Sequence, residues 1–242
     1  MSEHMALENL TVLDLTRVLA GPFCTMMLAD MGANVIKIEV PKGGDDTRSY
    51  PPFRAKNLNG ERESVYFANI NRNKKGITLN LKAPEGKEIF KELVKKADIV
   101  VENYRPGVMD KLGLGYDVLK EINPRIIYAA VSGFGCYGPY HLRPGYDILA
   151  QAMGGMMSIT GSKGGEPTRA GSALGDILGG LHVTIGILAA VNARTITGKG
   201  QRVDVSLMDS MIAATENTAL KYIETGNIPA PMGNRYAAVS PY

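Results

Sequence analysis

The sequence predicts an α/β fold built on a doubly wound parallel sheet. Short apolar runs alternate with segments in which apolar residues recur at helical spacing, the pattern of alternating strands and helices. Several runs are almost continuously apolar, as strands are when helices cover both faces of a parallel sheet. The chain has 242 residues, which is enough to bury the core of one large domain.

The first half of the chain supplies most of the predicted elements. Strands are predicted at residues 11–15, 35–39, 77–81, 99–102 and 126–131. A helix follows the first strand, because apolar residues recur at helical spacing from Phe23 to Met31. Another helix begins at Pro84, since proline is favoured in the first turn of a helix. Residues 41–60 are polar and rich in Gly and Pro, which indicates a long loop.

The second half of the chain begins with glycine-rich sequence and then becomes helical. A long apolar helix is predicted at about 177–193, followed by a strand at 202–207 and a helix from about 208. From residue 226 the sequence is rich in Pro, Asn and Gly, as linkers are. We therefore expect a large domain at 1–225 and, at 226–242, the start of a linker toward a small domain.

Composition excludes several classes of function. Lys and Arg number 27 and Asp and Glu 24, without a basic block, so a nucleic-acid partner is not expected. Cys24 and Cys136 do not form a CxxC pair, and no His, Cys and carboxylate residues have metal-ligand spacing, so no metal is expected. Without a signal sequence or an uninterrupted apolar span, the expected location is the cytoplasm and not a membrane.

The familiar nucleotide and hydrolase motifs do not occur in the sequence. There is no GxxxxGK[ST] and no GxGxxG after the first strand, and no GxSxG. The glycine-rich residues 161–165 are better explained as a flexible loop than as a phosphate cradle. The basic residues Arg72, Lys74 and Lys75 indicate either a solvated face or a phosphate contact.

Asp176 is the acid of greatest interest, and two interpretations remain open. Flanked by glycines at the predicted start of the long helix, it suits an N-cap, because aspartate accepts hydrogen bonds from free first-turn amides. It also suits a nucleophile, because glycine neighbours let a bulky acyl group approach. His182, within the same helix, is interpreted as a core or interface histidine and not as a base.

Motifs spread along the whole chain resemble those of the class III CoA-transferases, the CaiB/BaiF family. In chain order they are residues 12–16 (VLDLT), 20–22 (AGP), 28–39 (LADMGANVIKIE), 73–75 (NKK), 97–98 (AD), 101–107 (VENYRPG), 133–135 (GFG), 138–139 (GP), 145–147 (GYD), 175–176 (GD) and 197–201 (TGKGQ). The resemblance implies the Rossmann-like large domain of such an enzyme, with CoA as part of its substrate.

The resemblance also implies a set of site residues and partners. Asp176 matches the catalytic aspartate, which attacks an acyl-CoA to form an anhydride and then an aspartyl-CoA thioester. Residues implied to contact CoA are Leu79, Lys82, Asn103, Tyr104, Arg105, Val108 and Lys111. Residues implied near the acyl group are Leu19, Tyr66 and Asp147. The implied partners are an acyl-CoA, a carboxylic acid and a second copy of the chain, interlocked as in full-length relatives.

Two alternatives to the transferase activity remain open. The family includes α-methylacyl-CoA racemases, whose Gly-His-Asp motif is Gly145-Tyr146-Asp147 here. A phenol with an ordinary pKa of about 10 replaces that basic histidine poorly, which favours the transferase. Family members also continue well past Tyr242, through a small domain and a glycine-rich loop over the aspartate. An inactive CoA-binding fragment is the second alternative.

Overall fold

The computed structural model describes residues 4–56, 60 and 62–235. The strands are β1 (Thr11–Asp14), β2 (Asn34–Glu39), β3 (Lys75–Thr78), β4 (Ile99–Glu102), β5 (Ile127–Ser132) and β6 (Arg202–Ser206). They form one parallel sheet in the order β3-β2-β1-β4-β5-β6. This is the strand order of doubly wound Rossmann folds, so the predicted fold class is confirmed.

Helices cover both faces of this sheet. They are α1 (Ala20–Asp30), α2 (Val65–Ile70), α3 (Pro84–Val94), α4 (Val108–Leu112), α5 (Tyr116–Ile122), α6 (Asp147–Met153), α7 (Met156–Ile159), α8 (Leu174–Thr197), α9 (Leu207–Ala214) and α10 (Asn217–Thr225), with a short 3-10 helix at Asp46–Ser49. Successive strand residues face opposite cores: Val101 packs with α1 and α8, and Val100 packs with α3 and α5.

The predicted boundaries are wrong at two places that matter for the site. The third strand was expected at 77–81, but β3 runs from Lys75 to Thr78, where its pairing with β2 ends at Glu39. The Leu79 amide still donates to the Glu39 carbonyl at 2.8 Å, but Leu79 and the residues after it are outside the strand. The long helix was expected from about 177, but α8 begins at Leu174. The predicted domain boundary at 225 coincides with the end of α10 and stays a prediction.

Close packing of α8 depends on two successive glycines. A Cβ on Gly179 would lie 2.4 Å from Leu207, and one on Gly180 would lie 2.7 Å from the carbonyl oxygen of Ala20. A Cβ on Gly180 would meet backbone, and one on Gly179 would displace the Leu207 side chain, so the two glycines let α8 lie directly against the start of α1 and of α9. By length and composition α8 could also cross a membrane, but it packs on α1, β5 and β6.

Two lysine–aspartate pairs are buried under the carboxyl end of the sheet. Lys74 Nζ lies 3.0 Å from Asp14 Oδ2, and Lys37 Nζ lies 3.0 Å from Asp45 Oδ2. Burial alone would raise the pKa of Asp14, but Lys74 and Lys37, together with hydrogen bonds from Thr16 and Thr25, outweigh it and lower that pKa to about 2. The interpretation of Lys74 as solvated or phosphate-binding is therefore wrong, because its ammonium group neutralises Asp14.

We predict that Lys74→Met destabilises the fold by about 3 kcal/mol or more, because it leaves the charge of Asp14 buried without the cation that pairs with it. The matched control is Lys75→Met, since the exposed Lys75 only bonds the side chain of Asn34. This control should change stability by about 0.5 kcal/mol or less. Urea unfolding of both variants measures the difference, and equal losses would contradict the importance of the buried pair.

Candidate active site

A cleft of about 860 Å³ opens at the carboxyl ends of the strands. It lies where β1 and β4 diverge into α1 and α4, the switch point at which doubly wound sheets bind ligands. Eight of the eleven residues named from the resemblance line it: Leu19, Leu79, Lys82, Asn103, Tyr104, Arg105, Val108 and Asp176. The structure thus brings together residues that are up to 157 positions apart in the chain (19 to 176).

The loop between β1 and α1 forms one wall of the cleft, and the side chain of Asn103 holds this loop in place. The Arg17 amide donates to Asn103 Oδ1 at 2.8 Å, and Asn103 Nδ2 donates to the Arg17 carbonyl at 2.7 Å. Both polar atoms of this side chain are engaged with the backbone. Asn103 therefore joins the loops after β1 and β4, in addition to lining the cleft.

Val18, in the same loop, has a strained backbone that a buried carboxylate supports. Its φ of 66° is in the left-handed region, which β-branched residues rarely adopt. The Val18 amide donates to Asp45 Oδ1 at 3.2 Å, while Lys37 Nζ pairs with Asp45 and donates to the Thr16 carbonyl at 2.9 Å. Sequence reasoning missed Lys37 and Asp45. The one signal for Lys37 was a charge within an apolar strand.

Asp176 lies in the first turn of α8 and faces the cleft, but it is not the N-cap. The N-cap is Ala173, whose methyl side chain cannot accept a hydrogen bond. The N-cap interpretation is therefore wrong. The Gly175 amide instead donates to Asp147 Oδ1 at 2.8 Å, so a side chain from α6 supports this turn. The carboxyl group of Asp176 is left available for chemistry.

The pKa of Asp176 is raised from 3.8 to about 7. Burial is the larger cause, because a partly dehydrated carboxylate is disfavoured, and the negative charge of Asp147 is the second. At neutral pH this group is divided between its acid and carboxylate forms. Perturbed pKa values of this kind cluster at functional sites.

Three residues implied by the resemblance lie outside the set of described residues that line the cleft. Asp147 and Tyr66 are nonetheless close to Asp176: burial and then the charge of Asp176 raise the pKa of Tyr66 to about 12. Lys111 is exposed on α4 and is not part of the lining. His182 is exposed and its Nδ1 lies 2.9 Å from the Leu178 carbonyl, so placing it in the core is wrong.

Positive charges surround the cleft and suit an anionic ligand. The lining includes Lys82 and Arg105, as expected, together with Lys42 and Arg143, which sequence reasoning missed because neither is in a motif of its own. Guanidinium and ammonium groups bind phosphate oxygens. The cleft therefore combines a carboxyl group of raised pKa with cationic groups able to bind an anionic molecule.

Comparison with known proteins identifies the family of the chain. The model of the family described as CoA-transferase family III matches residues 7–242. The chain is 47% identical over 236 residues to the acetyl-CoA:oxalate CoA-transferase of Acetobacter aceti, covering 97% of this chain and 59% of that protein. It is 46% identical over 243 residues to the succinyl-CoA:mesaconate CoA-transferase of Haloarcula marismortui, covering 98% and 60%.

A solved structure shows the same backbone. The crystal structure of a CAIB/BAIF family protein from Brucella suis superposes with a TM-score of 0.93 at 44% identity, covering 99% of this chain and 63% of that one. The chain thus spans about 60% of the length of the relatives it matches here. With the family model matching nearly its whole length, the chain belongs to CoA-transferase family III.

Proposed function

We propose that the protein transfers CoA from an acyl-CoA to a free carboxylic acid, with Asp176 as the nucleophile. The observation that carries the proposal is the position of this carboxyl group: it faces a cationic cleft at the sheet's switch point and has a pKa of about 7. Two relatives described above are named as CoA-transferases, which supports the same class of reaction.

The cleft has separate regions for the two ends of CoA. The segment after β3, with Leu79 and Lys82, and the segment after β4, with Arg105 and Val108, provide apolar and cationic groups for the nucleotide and its phosphates. Asp176 lines the same cleft from α8. A bound acyl-CoA would place its thioester at Asp176 when its nucleotide occupies the β3 and β4 segments.

The chemistry proceeds through two rounds of acyl exchange at Asp176. The carboxylate attacks the thioester carbonyl, the C–S bond breaks, and CoA leaves as a thiolate. The thiolate then attacks the Asp176 carbonyl of the anhydride, which releases the donor acid and leaves CoA on Asp176 as a thioester. The incoming carboxylate attacks this thioester to form a second anhydride and thiolate. Attack of that thiolate on the acceptor carbonyl gives the new acyl-CoA and restores Asp176.

We predict that incubation with acyl-CoA adds CoA to the Asp176 peptide, and that Asp176→Asn abolishes the addition because an amide is a far weaker nucleophile. Peptide mass spectrometry measures the adduct. Asp209→Asn is the matched control, because Asp209 is an exposed aspartate of α9 that is not among the residues lining the cleft. An adduct that persists in Asp176→Asn would contradict the proposed nucleophile.

We predict that the rate of adduct formation rises with pH around a midpoint near 7. The reactive form is the carboxylate, so the rate is low when Asp176 is protonated and reaches a plateau above its pKa. Between pH 6 and pH 8 the carboxylate fraction, and hence the rate, should rise about tenfold. Rapid-quench mass spectrometry from pH 5 to 9 checks this. A midpoint near 4 would show that Asp176 is not perturbed.

A further inference from the structure

The first turn of α8 is held by another helix. The Leu174 amide donates to the Ser172 carbonyl at 2.9 Å, and the Gly175 amide donates to Asp147 Oδ1 at 2.8 Å. A carboxylate is favourable at this position because first-turn amides carry partial positive charge. Asp147 therefore acts as a long-range cap for the helix that carries Asp176.

Gln151, one turn further along α6, fixes the rotamer of Asp147. Its side chain is fully buried, and its Nε2 donates to Asp147 Oδ2 at 2.8 Å and to the Ser172 carbonyl at 3.3 Å. Its Oε1 accepts a hydrogen bond from the Ala170 amide at 2.8 Å. Both polar atoms of the amide are thus engaged, so rotating Gln151 away would leave buried groups unpaired.

The two oxygens of Asp147 are consequently held from opposite sides. Gly175 binds Oδ1 and Gln151 binds Oδ2, which keeps the carboxylate directed at the residue that precedes Asp176. Without the Gln151 amide, Asp147 would keep one of these two contacts and would be free to rotate. Its charge would then spend less time beside Asp176.

We propose that Gln151 is a positioning residue for the nucleophile: by holding Asp147 against the first turn of α8, it keeps a second carboxylate behind Asp176. The catalytic part of this inference rests on the proposed function. The structural part, a three-residue relay from Gln151 through Asp147 to the turn of Asp176, stands on the hydrogen bonds alone.

Asp147 is the charged group that, after burial, raises the pKa of Asp176. Burial raises the pKa of Asp176, and Asp147 adds to that effect. Tyr66 on α2 is a further titratable neighbour, whose own pKa is raised partly by Asp176. Charged or titratable side chains along the cleft that also holds Asp176 are Arg17, Glu39, Lys42, Asp46, Lys82, Tyr104, Arg105, His141, Arg143 and Tyr146. Displacement of Asp147 therefore removes negative charge from one side of Asp176.

The test is a direct titration of Asp176 by NMR in protein labelled with carbon-13 at the aspartate carboxyl groups. Asp176→Asn identifies its resonance, and Asp147→Asn gives the pKa of Asp176 without the second charge. We expect Gln151→Met to lower the pKa of Asp176 by about one unit, toward the value in Asp147→Asn. Gln151→Asn, which keeps an amide one methylene shorter, serves the same purpose if Gln151→Met does not fold.

Ser210→Ala is the control for a purely structural role. It removes a buried hydroxyl that donates to the Ser206 carbonyl in α9, so it should lower the melting temperature without shifting the pKa of Asp176. An unchanged pKa of Asp176 in a folded Gln151 variant would overturn the proposal. So would an unchanged pKa in Asp147→Asn, because no relay through Asp147 would then exist.

This titration requires no turnover, so it separates the two proposals. A lowered pKa without any CoA adduct would refute the proposed function and keep the relay. A CoA adduct together with an unchanged pKa of Asp176 in the Gln151 variants would support the proposed function and refute the relay. Where adducts form, the pH midpoint of adduct formation should move down in Gln151→Met by the same amount as the pKa measured by NMR.

Discussion

Two buried lysine–aspartate pairs determine the shape of the cleft. Asp14 ends β1 and pairs with Lys74 before β3, and Lys37 of β2 pairs with Asp45 in the following loop. Asp14 Oδ1 also accepts hydrogen bonds from the amide and the hydroxyl of Thr16. Because buried charges are costly without partners, these pairs leave the chain few other arrangements. The loop after β1 is thereby held in its strained form, facing α8.

The opposite wall of the cleft depends on the close packing of α8 and on a cap that comes from α6. Gly179 and Gly180 let α8 reach the starts of α1 and α9, and Asp147 caps the turn that carries Asp176. The close packing and the cap together fix the position of α8. The partly dehydrated carboxyl group of Asp176 therefore lies opposite the loop after β1. The raised pKa of Asp176 follows from this burial, with the negative charge of Asp147 adding to it.

Local sequence rules predicted the elements well and the tertiary contacts poorly. Apolar alternation identified the parallel sheet, and Asp176 was found because glycines flank it and a family motif includes it. The N-cap interpretation failed because a residue from α6, 28 positions away, supplies the cap. Gln151 and Asp45 were missed for a related reason: Gln151 bonds Ala170 and Asp45 bonds Val18, partners distant in sequence, and neither residue belongs to a local pattern.

A crystal structure of the protein with bound CoA tests most directly whether the switch-point cleft is the CoA site. We predict the nucleotide between the segments after β3 and β4, with Lys82 and Arg105 on its phosphates. The CoA sulfur should then lie about 3–4 Å from the carboxyl group of Asp176, the separation of groups ready to react. CoA bound outside this cleft, or with its sulfur directed away from α8, would contradict the assignment.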